Sequence, residues 1–302
     1  MNKIYMKIVF SLLTLFAYVS NKALGSESIS SEIKLSNSLK HNVVYDQYEI
    51  YEQNKHLACT NLEEQLQANE IMHQALNKFY EYFMYECNYK LYAKYNKDTS
   101  SHFHKYTNNP DVGKLDITIH HPHMYDEIVN ILWDPNGEKK YNPDFIGGKV
   151  FRTYNPNLLL IQQRYKNGFM GRQDYFYALA LKHKPSKDTT IIVMSSVNVN
   201  DHNRKDGKKY ENAIVNSANS FETNIDSEED IKNGKLNKMF VHLSGYSITK
   251  YIDHVEIIHI DSIDGDIPSK LPHWYKLSNK SERLARLIEL SNYIDRKVYN
   301  TQ

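Results

Sequence analysis

From residue 149 to the C-terminus, the period of the hydrophobic and polar positions changes once, after Pro272. Upstream of it, from residue 149 onward, β-branched and aromatic residues concentrate in segments separated by turn clusters such as Lys205-Asp206-Gly207. These segments predict strands at residues 149–154, 157–166, 174–182, 189–199, 212–222, 237–251 and 254–263. After Pro272 the apolar residues recur about every 3.6 positions, which predicts one long amphipathic helix.

A sheet that is followed by a single amphipathic helix has to bury the apolar stripe of that helix against one of its faces. The stripe consists of Leu277, Leu284, Leu287, Ile288, Ile294 and Val298. If the sheet is long and curved, one helix closes it over a cavity instead of a solid core. The order of the elements therefore predicts an α+β container.

A second amphipathic helix is predicted over residues 61–85. Its apolar face carries Leu62, Leu66, Met72, Leu76, Phe79 and Phe83, and Thr60 with Glu63 forms a capping-box pattern at its start. A straight helix of this length spans about 35 Å, whereas a disulfide needs Cα atoms within about 7 Å. Cys59 and Cys87 flank the helix, so we predict no intramolecular disulfide. Short strands at 90–95, 102–106 and 115–120 and a helix at 122–133 are predicted to follow.

Residues 1–25 have the pattern of a secretory signal peptide. Lys3 and Lys7 precede an apolar run at residues 8–19, and Ala23-Leu24-Gly25 offers a small-residue cleavage site. The apolar run is too short to span a bilayer. Residues 26–58 are polar and lack a clear period, which predicts a flexible leader, and residues 59–302 are predicted to form one domain. We therefore expect a secreted protein.

The charge of the chain is balanced, with 37 basic and 36 acidic residues and a net charge of +1. This balance removes any general electrostatic reason to expect a nucleic-acid partner. The sequence has no G-x-S-x-G, phosphate-binding-loop, H-E-x-x-H or C-x-x-C motif. His120, His121 and His123 lie close together, but adjacent histidines on a strand point to opposite faces. We therefore predict no catalytic residues and no metal.

Three local sequences resemble the START lipid-transfer domain, which has an α+β helix-grip fold. Residues 173–177 (Gln-Asp-Tyr-Phe-Tyr) resemble the Arg-Asp-aromatic strand of that family. Residues 261–265 and 271–274 resemble its Asp-x-x-Gly and Ile-Pro-x-Trp sequences before the last helix, and residues 133–142 resemble its helix pair with Trp-Asp. The resemblance covers residues 59–302 and implies a long curved antiparallel sheet closed by a C-terminal helix around a lipid tunnel.

Five further segments are similar to the fam-a multigene family of malaria parasites. They are residues 132–137, 154–158, 161–166, 200–203 and 243–246. This resemblance implies a secreted lipid-transfer protein that holds one phospholipid, phosphatidylcholine, and exchanges it between membranes. It also implies a place of action in the parasitophorous vacuole or, after export, in the host cell.

The resemblance implies lipid-binding residues as well. Phospholipid-binding relatives enclose the head group with an Arg and an Asp on the turn before the sheet, and here Glu138 and Asn142 stand at those positions. The implied lipid-binding residues are Glu138, Lys139, Tyr141, Asn142, Arg152, Gln163, Arg164, Tyr165, Asp174, Tyr175, Asn216, Asn219 and Trp274. Both faces of the strand at 157–166 begin with apolar residues, so alternation leaves open which face lines the tunnel.

We expect a monomer whose partners are one bound phospholipid, as ligand rather than cofactor, and transiently a membrane surface. Residues 199–210 and the hinge at 263–274 are candidate lids over the tunnel. Two alternatives stay open. The first alternative to a lipid carrier is a surface or exported protein that uses a START-like scaffold for host contacts. The second is an enzyme with Asp174 or His202 as its base.

Overall fold

The computed structural model describes residues 49–84, 89–104, 111–166, 173–205, 210–265 and 272–300. All of these residues belong to one compact unit, Tyr45–Gln302. The strands within them are β1 (Lys90–Asn96), β2 (Thr99–His104), β3 (Val112–Ile119), β4 (Phe145–Asn155), β5 (Leu158–Lys166), β6 (Gln173–Ser186), β7 (Thr189–Ser195), β8 (Asn198–Asn200), β9 (Glu222–Asn224), β10 (Asn237–Lys238), β11 (Phe240–Lys250) and β12 (Val255–Asp264).

The helices in the same residues are α1 (Glu49–Gln53), α2 (Leu62–Met84), α3 (Tyr125–Trp133), α4 (Glu229–Lys232), α5 (His273–Ala285) and α6 (Ile288–Tyr299). Short 3₁₀ turns occur at Lys55–Leu57, Pro122–Met124, Gly137–Lys140 and Asn216–Ser220. None of the described helices is both long enough and apolar enough to cross a membrane.

The described strands, apart from β8 and β9, form one sheet. Its order is β1-β2-β3-β12-β11-β7-β6-β5-β4, with antiparallel neighbours throughout. Strand β10 adds to β6 in parallel, and β8 pairs with β9 in a separate two-stranded ribbon. The prediction of an α+β helix-grip fold with a large antiparallel sheet and C-terminal helices is confirmed.

Two hydrophobic cores flank this sheet. On the outer face, α2 and residues from 197–199 and 214–236 cover Leu158 and Leu160 of β5. On the inner face, α3, α5 and α6 cover Leu159 and Ile161. Because β5 is buried on both sides, its sequence is apolar at consecutive positions instead of alternating. This explains why the sequence pattern did not distinguish the two faces.

The helix predicted at 61–85 is confirmed as α2, with a different cap. The side-chain oxygen of Asn61 accepts hydrogen bonds from the backbone N–H groups of Glu63 and Glu64 at 3.0 and 3.3 Å, so Asn61 and not Thr60 is the N-cap. Cys59 is a free thiol. Cys87, with which we predict no disulfide, lies outside the described residues. Residues 1–48, which include the predicted signal peptide, lie outside them as well.

Residues 49–58, predicted as the end of a flexible leader, have defined structure. They form α1 and a 3₁₀ turn, and Ile50 and Leu57 pack against the inner core. The chain then runs beside β4, where the Cys59 N–H donates to the Thr153 carbonyl at 2.8 Å. The hydrogen bond to β4 and the packing of Ile50 and Leu57 together explain why this polar segment is ordered.

The strand predicted at 212–222 is wrong. The side-chain oxygen of Asn212 accepts from the N–H groups of Ile214 and Val215 at 3.0 and 2.8 Å, and a 3₁₀ turn follows at Asn216–Ser220. Asparagine side chains that bond the nearby backbone compete with a strand ladder. The other predicted strands are present, although 189–199 and 237–251 are each divided in two.

The long terminal helix is also divided, at Arg286 and Leu287. Backbone bonds there join residues three apart, from Leu287 N to Leu284 O and from Leu290 N to Leu287 O. Leu284, Leu287 and Leu290 are all buried in the inner core. The tighter turn keeps these three leucines on one side, which accounts for the break.

Candidate ligand-binding cavity

A cavity of about 630 Å³ lies between the inner face of the sheet and α5. This volume is within the range of about 300–1,000 Å³ that is usual for small-molecule sites. Its apolar wall consists of Phe176, Met194, Met239, Ile263 and Leu287. The remaining lining is polar or charged, so the cavity suits an amphipathic ligand.

One end of the cavity, which we call the tyrosine end, contains Glu138, Tyr141, Tyr165 and Tyr246. The Glu138 carboxylate accepts hydrogen bonds from Asn142 Nδ2 and from the Tyr165 hydroxyl, both at 2.8 Å. Gln163 is buried beside them and donates to the Pro135 carbonyl at 3.0 Å. The donors to Glu138 are therefore neutral groups.

A tight turn after α3 places Glu138 in this position. The Gly137 N–H donates to the Asp134 carbonyl at 2.8 Å, and the N–H of Asn142 donates to the Glu138 carbonyl at 2.7 Å. A Cβ atom on Gly137 would come within 1.9 Å of the Ile131 carbonyl oxygen. Only glycine permits this approach, so the Asp-Pro-Asn-Gly sequence fixes the direction of the Glu138 side chain.

The protein encloses these groups so fully that their pKa values shift. Burial raises the pKa of Glu138, its hydrogen bonds from Asn142 and Tyr165 oppose the rise, and the charge of Asp261 adds to it. Burial, followed by the charge of Glu138, raises the pKa values of Tyr141 and Tyr165 well above the usual range of a phenol. Among the residues that the structure describes, no basic side chain forms an ion pair with the Glu138 carboxyl group, and the donors to it are neutral.

Arg283 in α5 and Arg286, the residue directly after α5, reach across to the sheet side. Arg283 donates to Asp261 from Nε and Nη2 at 3.0 and 2.6 Å. Arg286 lies 2.5 Å from Asp144. All four residues line the cavity, so two ion pairs hold α5 over it.

His259 lies between these two regions. Its Nδ1 is 2.9 Å from the Gly245 carbonyl, and its ring stacks on Tyr246 with centroids 4.4 Å apart. A carbonyl only accepts hydrogen bonds, so Nδ1 is the protonated nitrogen. Burial lowers the pKa of this imidazole, which favours the neutral ring with Nε2 as an acceptor.

Six residues of the predicted set line the cavity: Glu138, Tyr141, Asn142, Gln163, Tyr165 and Asp174. The inner face is therefore the face of β5 that carries Gln163 and Tyr165. Asp174 accepts from Asn237 Nδ2 at 3.1 Å. Whether these residues bind lipid remains a prediction.

The other seven predicted residues lie away from the cavity: Lys139, Arg152, Arg164, Tyr175, Asn216, Asn219 and Trp274. Arg152 and Arg164 point to the outer face, where they pair with Glu64 and with Asp230. Tyr175 donates to Asp201 in the outer core. Asn219 bonds the backbone of Asn212. The remaining three are exposed.

The sequence analysis missed the residues on β11, β12 and α5. Ser244 and Tyr246 lie opposite Asp261 and His259 in the ladder, and all four face the cavity. The alternation His259-x-Asp261 on a predicted strand was the available signal. Their convergence with Arg283 depends on a register that the sequence pattern does not specify.

The described residues contain no group of three or more His, Cys, Asp or Glu side chains arranged to hold a metal ion. His120 and His121 instead lie near Asp98 and Asp295, at 3.5 and 3.0 Å.

Comparison with known proteins gives matches in structure only. No protein-family model and no curated protein matches the sequence. Human StAR-related lipid transfer protein 5 matches with a TM-score of 0.56 and 11% identity, over 77% of this chain and 98% of that chain. The human StarD13 (DLC2) lipid transfer and protein localization domain matches with a TM-score of 0.51 and 16% identity, over 74% and 95%.

Human STARD10 matches with a TM-score of 0.50 and 13% identity, over 72% of this chain and 77% of that chain. Structural similarity at identities this low shows the fold alone, and it does not show the ligand. The chain has the START-like helix-grip fold, with a candidate ligand cavity between its sheet and its C-terminal helices.

Proposed function

We propose that this protein binds one phospholipid in the cavity and transfers it between membranes. The cavity between the inner face and α5 is the observation that carries the proposal, because its lining combines an apolar wall with polar and charged side chains. Two proteins of similar structure, StAR-related lipid transfer protein 5 and the StarD13 lipid transfer domain, are named for lipid transfer, which supports the proposal.

Phosphatidylcholine is the phospholipid we propose. Tyrosine rings attract quaternary ammonium groups, and the tyrosine end adds the carboxyl group of Glu138. A cation bound there would favour the ionised carboxylate, so binding would oppose the rise in the pKa of Glu138 that burial causes. We therefore expect phosphatidylcholine to bind more tightly as the pH increases through the pKa of Glu138.

Native mass spectrometry tests the ligand. The purified protein is incubated with liposomes of mixed phospholipids. The mass of the protein–lipid complex is then measured, and the bound lipid is extracted and identified. One phosphatidylcholine per chain is the expected result. A different head group would reject the assignment to phosphatidylcholine, and an empty protein that transfers nothing between vesicles would reject the proposed function.

Two glutamate variants sharpen this test. Glu138→Gln should reduce the preference for phosphatidylcholine and remove the dependence on pH. Glu228→Gln makes the same chemical change on the outer face, where Glu228 pairs with Arg164, and should leave the bound lipid unchanged. Equal lipid profiles for the two variants would contradict a role for the tyrosine end.

The energetics make transfer a question of rate. Burying the acyl chains is worth about 0.8 kcal/mol per CH₂, but a bilayer offers nearly the same. We propose that α5 moves away from the sheet to exchange the lipid. The Tyr95 hydroxyl of β1 lies 3.3 Å from Ser281 Oγ of α5, so this pair reports on that motion.

A cleavable cross-link between Tyr95→Cys and Ser281→Cys, in a Cys59→Ser/Cys87→Ser background, should stop transfer without unfolding the protein. Cleavage of the linker should restore it. Unchanged transfer by the cross-linked protein would show that α5 need not move.

We also propose that the protein is secreted by way of a signal peptide at residues 1–25, and that it is a fam-a-type protein of the parasitophorous vacuole or the host cell. The residue pattern of the first 25 positions and the five fam-a-like segments support this proposal. N-terminal sequencing of the secreted protein should find a chain that begins at Ser26. Retention of the first 25 residues would contradict it.

Catalysis is the second candidate, favoured by the raised pKa of the buried Glu138 carboxyl group in the cavity wall. Asp174 also lines the cavity, whereas His202 is exposed elsewhere. We propose a non-enzymatic role, and the liposome experiment distinguishes the two. Lipid recovered intact supports a carrier, while hydrolysed or modified lipid that disappears with Glu138→Gln would support an enzyme.

A further inference from the structure

Strand β1 is an edge of the sheet with an unusual surface. Six of its seven residues are exposed, and Ala93 is half-buried. The large apolar side chains among them are Leu91, Tyr92 and Tyr95, with exposed fractions of 61%, 44% and 41%. Exposed apolar residues that lie together on one strand mark an interaction site more often than scattered ones do.

The opposite edge of the sheet, β4, is built differently. Ala58 pairs with Thr153 of β4, and Phe145, Val150 and Tyr154 of the strand are buried. One edge is thus partly covered by a segment of the chain, while β1 presents its apolar side chains to solvent. Edge protection alone does not explain this difference, because protection needs polar residues and not Leu91 or Tyr92.

The charge of this strand has one sign. Lys90, Lys94 and Lys97 alternate with the apolar residues, and no acidic residue occurs between positions 89 and 97. Asp98 follows in the turn, 4.0 Å from Lys97 Nζ. In a chain of net charge +1, this is a local basic and aromatic surface.

Helix α5 connects this surface to the cavity. Ser281 contacts Tyr95, and the neighbouring α5 residues Asn279, Glu282 and Arg283 line the cavity. Trp274 precedes Ser281 by seven positions, which is two helical turns, so both lie on about the same face of α5. Trp274 is 69% exposed.

We propose that β1 (Lys90–Asn96), Lys97 and Trp274 form the surface on which this protein docks to a bilayer that contains anionic lipids. Lysines complement the negative lipid head groups. Tyrosine and tryptophan side chains suit the boundary between head groups and acyl chains, since one end of each is polar. Lysines along an edge strand disfavour pairing with a strand of another protein, so the charge favours a membrane over a protein partner.

This inference rests on the proposed function for its purpose, since docking beside α5 brings the bilayer to the helix that covers the cavity. It is tested separately, by co-sedimentation of the full-length protein with phosphatidylcholine vesicles that contain or lack phosphatidylserine. We expect binding to the phosphatidylserine vesicles that weakens as salt is added. Absence of binding, or equal binding to both vesicles, would overturn the inference.

The variant Lys90→Glu/Lys94→Glu/Lys97→Glu should weaken binding about a hundredfold or more, because each lysine near an anionic surface contributes about fivefold. Lys184→Glu/Lys187→Glu/Lys235→Glu changes the net charge equally at exposed sites elsewhere and should bind as the parent does. Leu91→Ser/Trp274→Ser should weaken binding without changing its dependence on salt. Similar losses in both lysine variants would mean that only net charge matters and would overturn the assignment.

Thermal unfolding confirms that each variant is folded, and light scattering reports its oligomeric state. A dimer of the parent that the β1 variants dissociate would assign the surface to a second copy and overturn membrane docking. Bound lipid measured on the same samples separates the two proposals. Loss of docking with lipid retained supports this inference, whereas docking by a protein that never holds lipid refutes the proposed function alone.

Discussion

Glu138 and Glu228 lie on opposite faces of the same sheet, and both are held by hydrogen-bond donors. Glu228 pairs with Lys149 and with Arg164, whose Nη2 lies 2.9 Å away. Burial opposes its ionisation, but hydrogen bonds from Lys149 and Gln162 and the charge of Arg164 prevail and lower its pKa to about 2. Glu138 accepts from the neutral donors Asn142 and Tyr165, and burial raises its pKa.

The difference extends to the surroundings of each residue. On the outer face, buried and half-buried acids pair with basic side chains, as in the pairs of Arg152 with Glu64 and of Lys238 with Asp201. The inner face leaves a volume of about 630 Å³ beside an unneutralised carboxyl group. Burying a carboxyl group that no cation neutralises costs stability, and proteins keep such a group where a ligand compensates that cost. We therefore assign structural roles to the outer charges and a binding role to Glu138.

The largest effect is expected from breaking an outer pair. Arg152→Ala leaves Glu64, which also accepts from Tyr154 and Thr223, without its cation in a mostly buried position. Removing one partner of a buried pair typically costs about 3 kcal/mol. We expect that loss in the free energy of unfolding, measured with urea, and unchanged lipid binding.

Lys55→Ala is the matched control, because the pair of Lys55 with Glu52 is more than half exposed. It should leave the free energy of unfolding unchanged. A loss of bound lipid in Arg152→Ala at temperatures where the protein is folded would contradict the division between the two faces.

The next effect concerns Glu228 and has a defined dependence on pH. A carboxyl group whose pKa is lower in the folded state stabilises the fold above its unfolded pKa of 4.5, and this stabilisation is lost as the pH falls toward 2. Glu228→Gln should therefore cost about 1–2 kcal/mol at pH 7, after allowance for solvent screening. Urea titrations from pH 7 to pH 3 should show the gap between variant and parent closing.

Glu138 should behave in the opposite way. Its raised pKa means that the folded state holds the proton to higher pH than the unfolded state does. Ionised Glu138 therefore lowers stability, and the penalty grows as the pH rises through 4.5 toward the folded pKa. In lipid-free protein, Glu138→Gln should equal the parent at pH 4 and exceed it in stability at pH 8. The same titration checks this, and a destabilised variant at pH 8 would contradict it.

This contrast was only partly predictable from the sequence. The turn that directs Glu138 has a local signal in Asp134-Pro135-Asn136-Gly137, because proline and glycine have fixed roles in such turns. The elements of the fold were predictable for a similar reason, since α2 has a helical period and most strands concentrate β-branched and aromatic residues between turn clusters. The strand prediction at 212–222 was wrong because the Asn212 side chain accepts hydrogen bonds from the nearby backbone, and such bonds do not change the pattern of hydrophobic and polar residues.

The partners of the charged residues were not predictable. Arg164 and Tyr165 are neighbours on β5, yet one pairs with Asp230 on the outer face and the other donates to Glu138 on the inner face. Both faces of β5 are buried, so alternation separates the two residues without saying which one faces the cavity. The pairs of Arg283 with Asp261 and of Arg286 with Asp144 depend on how α5 docks, which the helical period alone does not define.

The smallest effect on stability is expected at the α5 wall. The pair of Arg286 with Asp144 is 44% and 39% exposed, and such pairs contribute less than about 1 kcal/mol. Arg286→Ala should therefore barely change the free energy of unfolding. It should nevertheless speed the exchange of lipid between vesicles, because it removes the ion pair with Asp144 that helps to hold α5 over the cavity. Arg286→Lys keeps the charge and should restore part of the slow exchange. Equal exchange rates in the three proteins would show that the wall opens without breaking this pair. The contact that limits the motion would then be the pair of Arg283 with Asp261, whose carboxylate is buried.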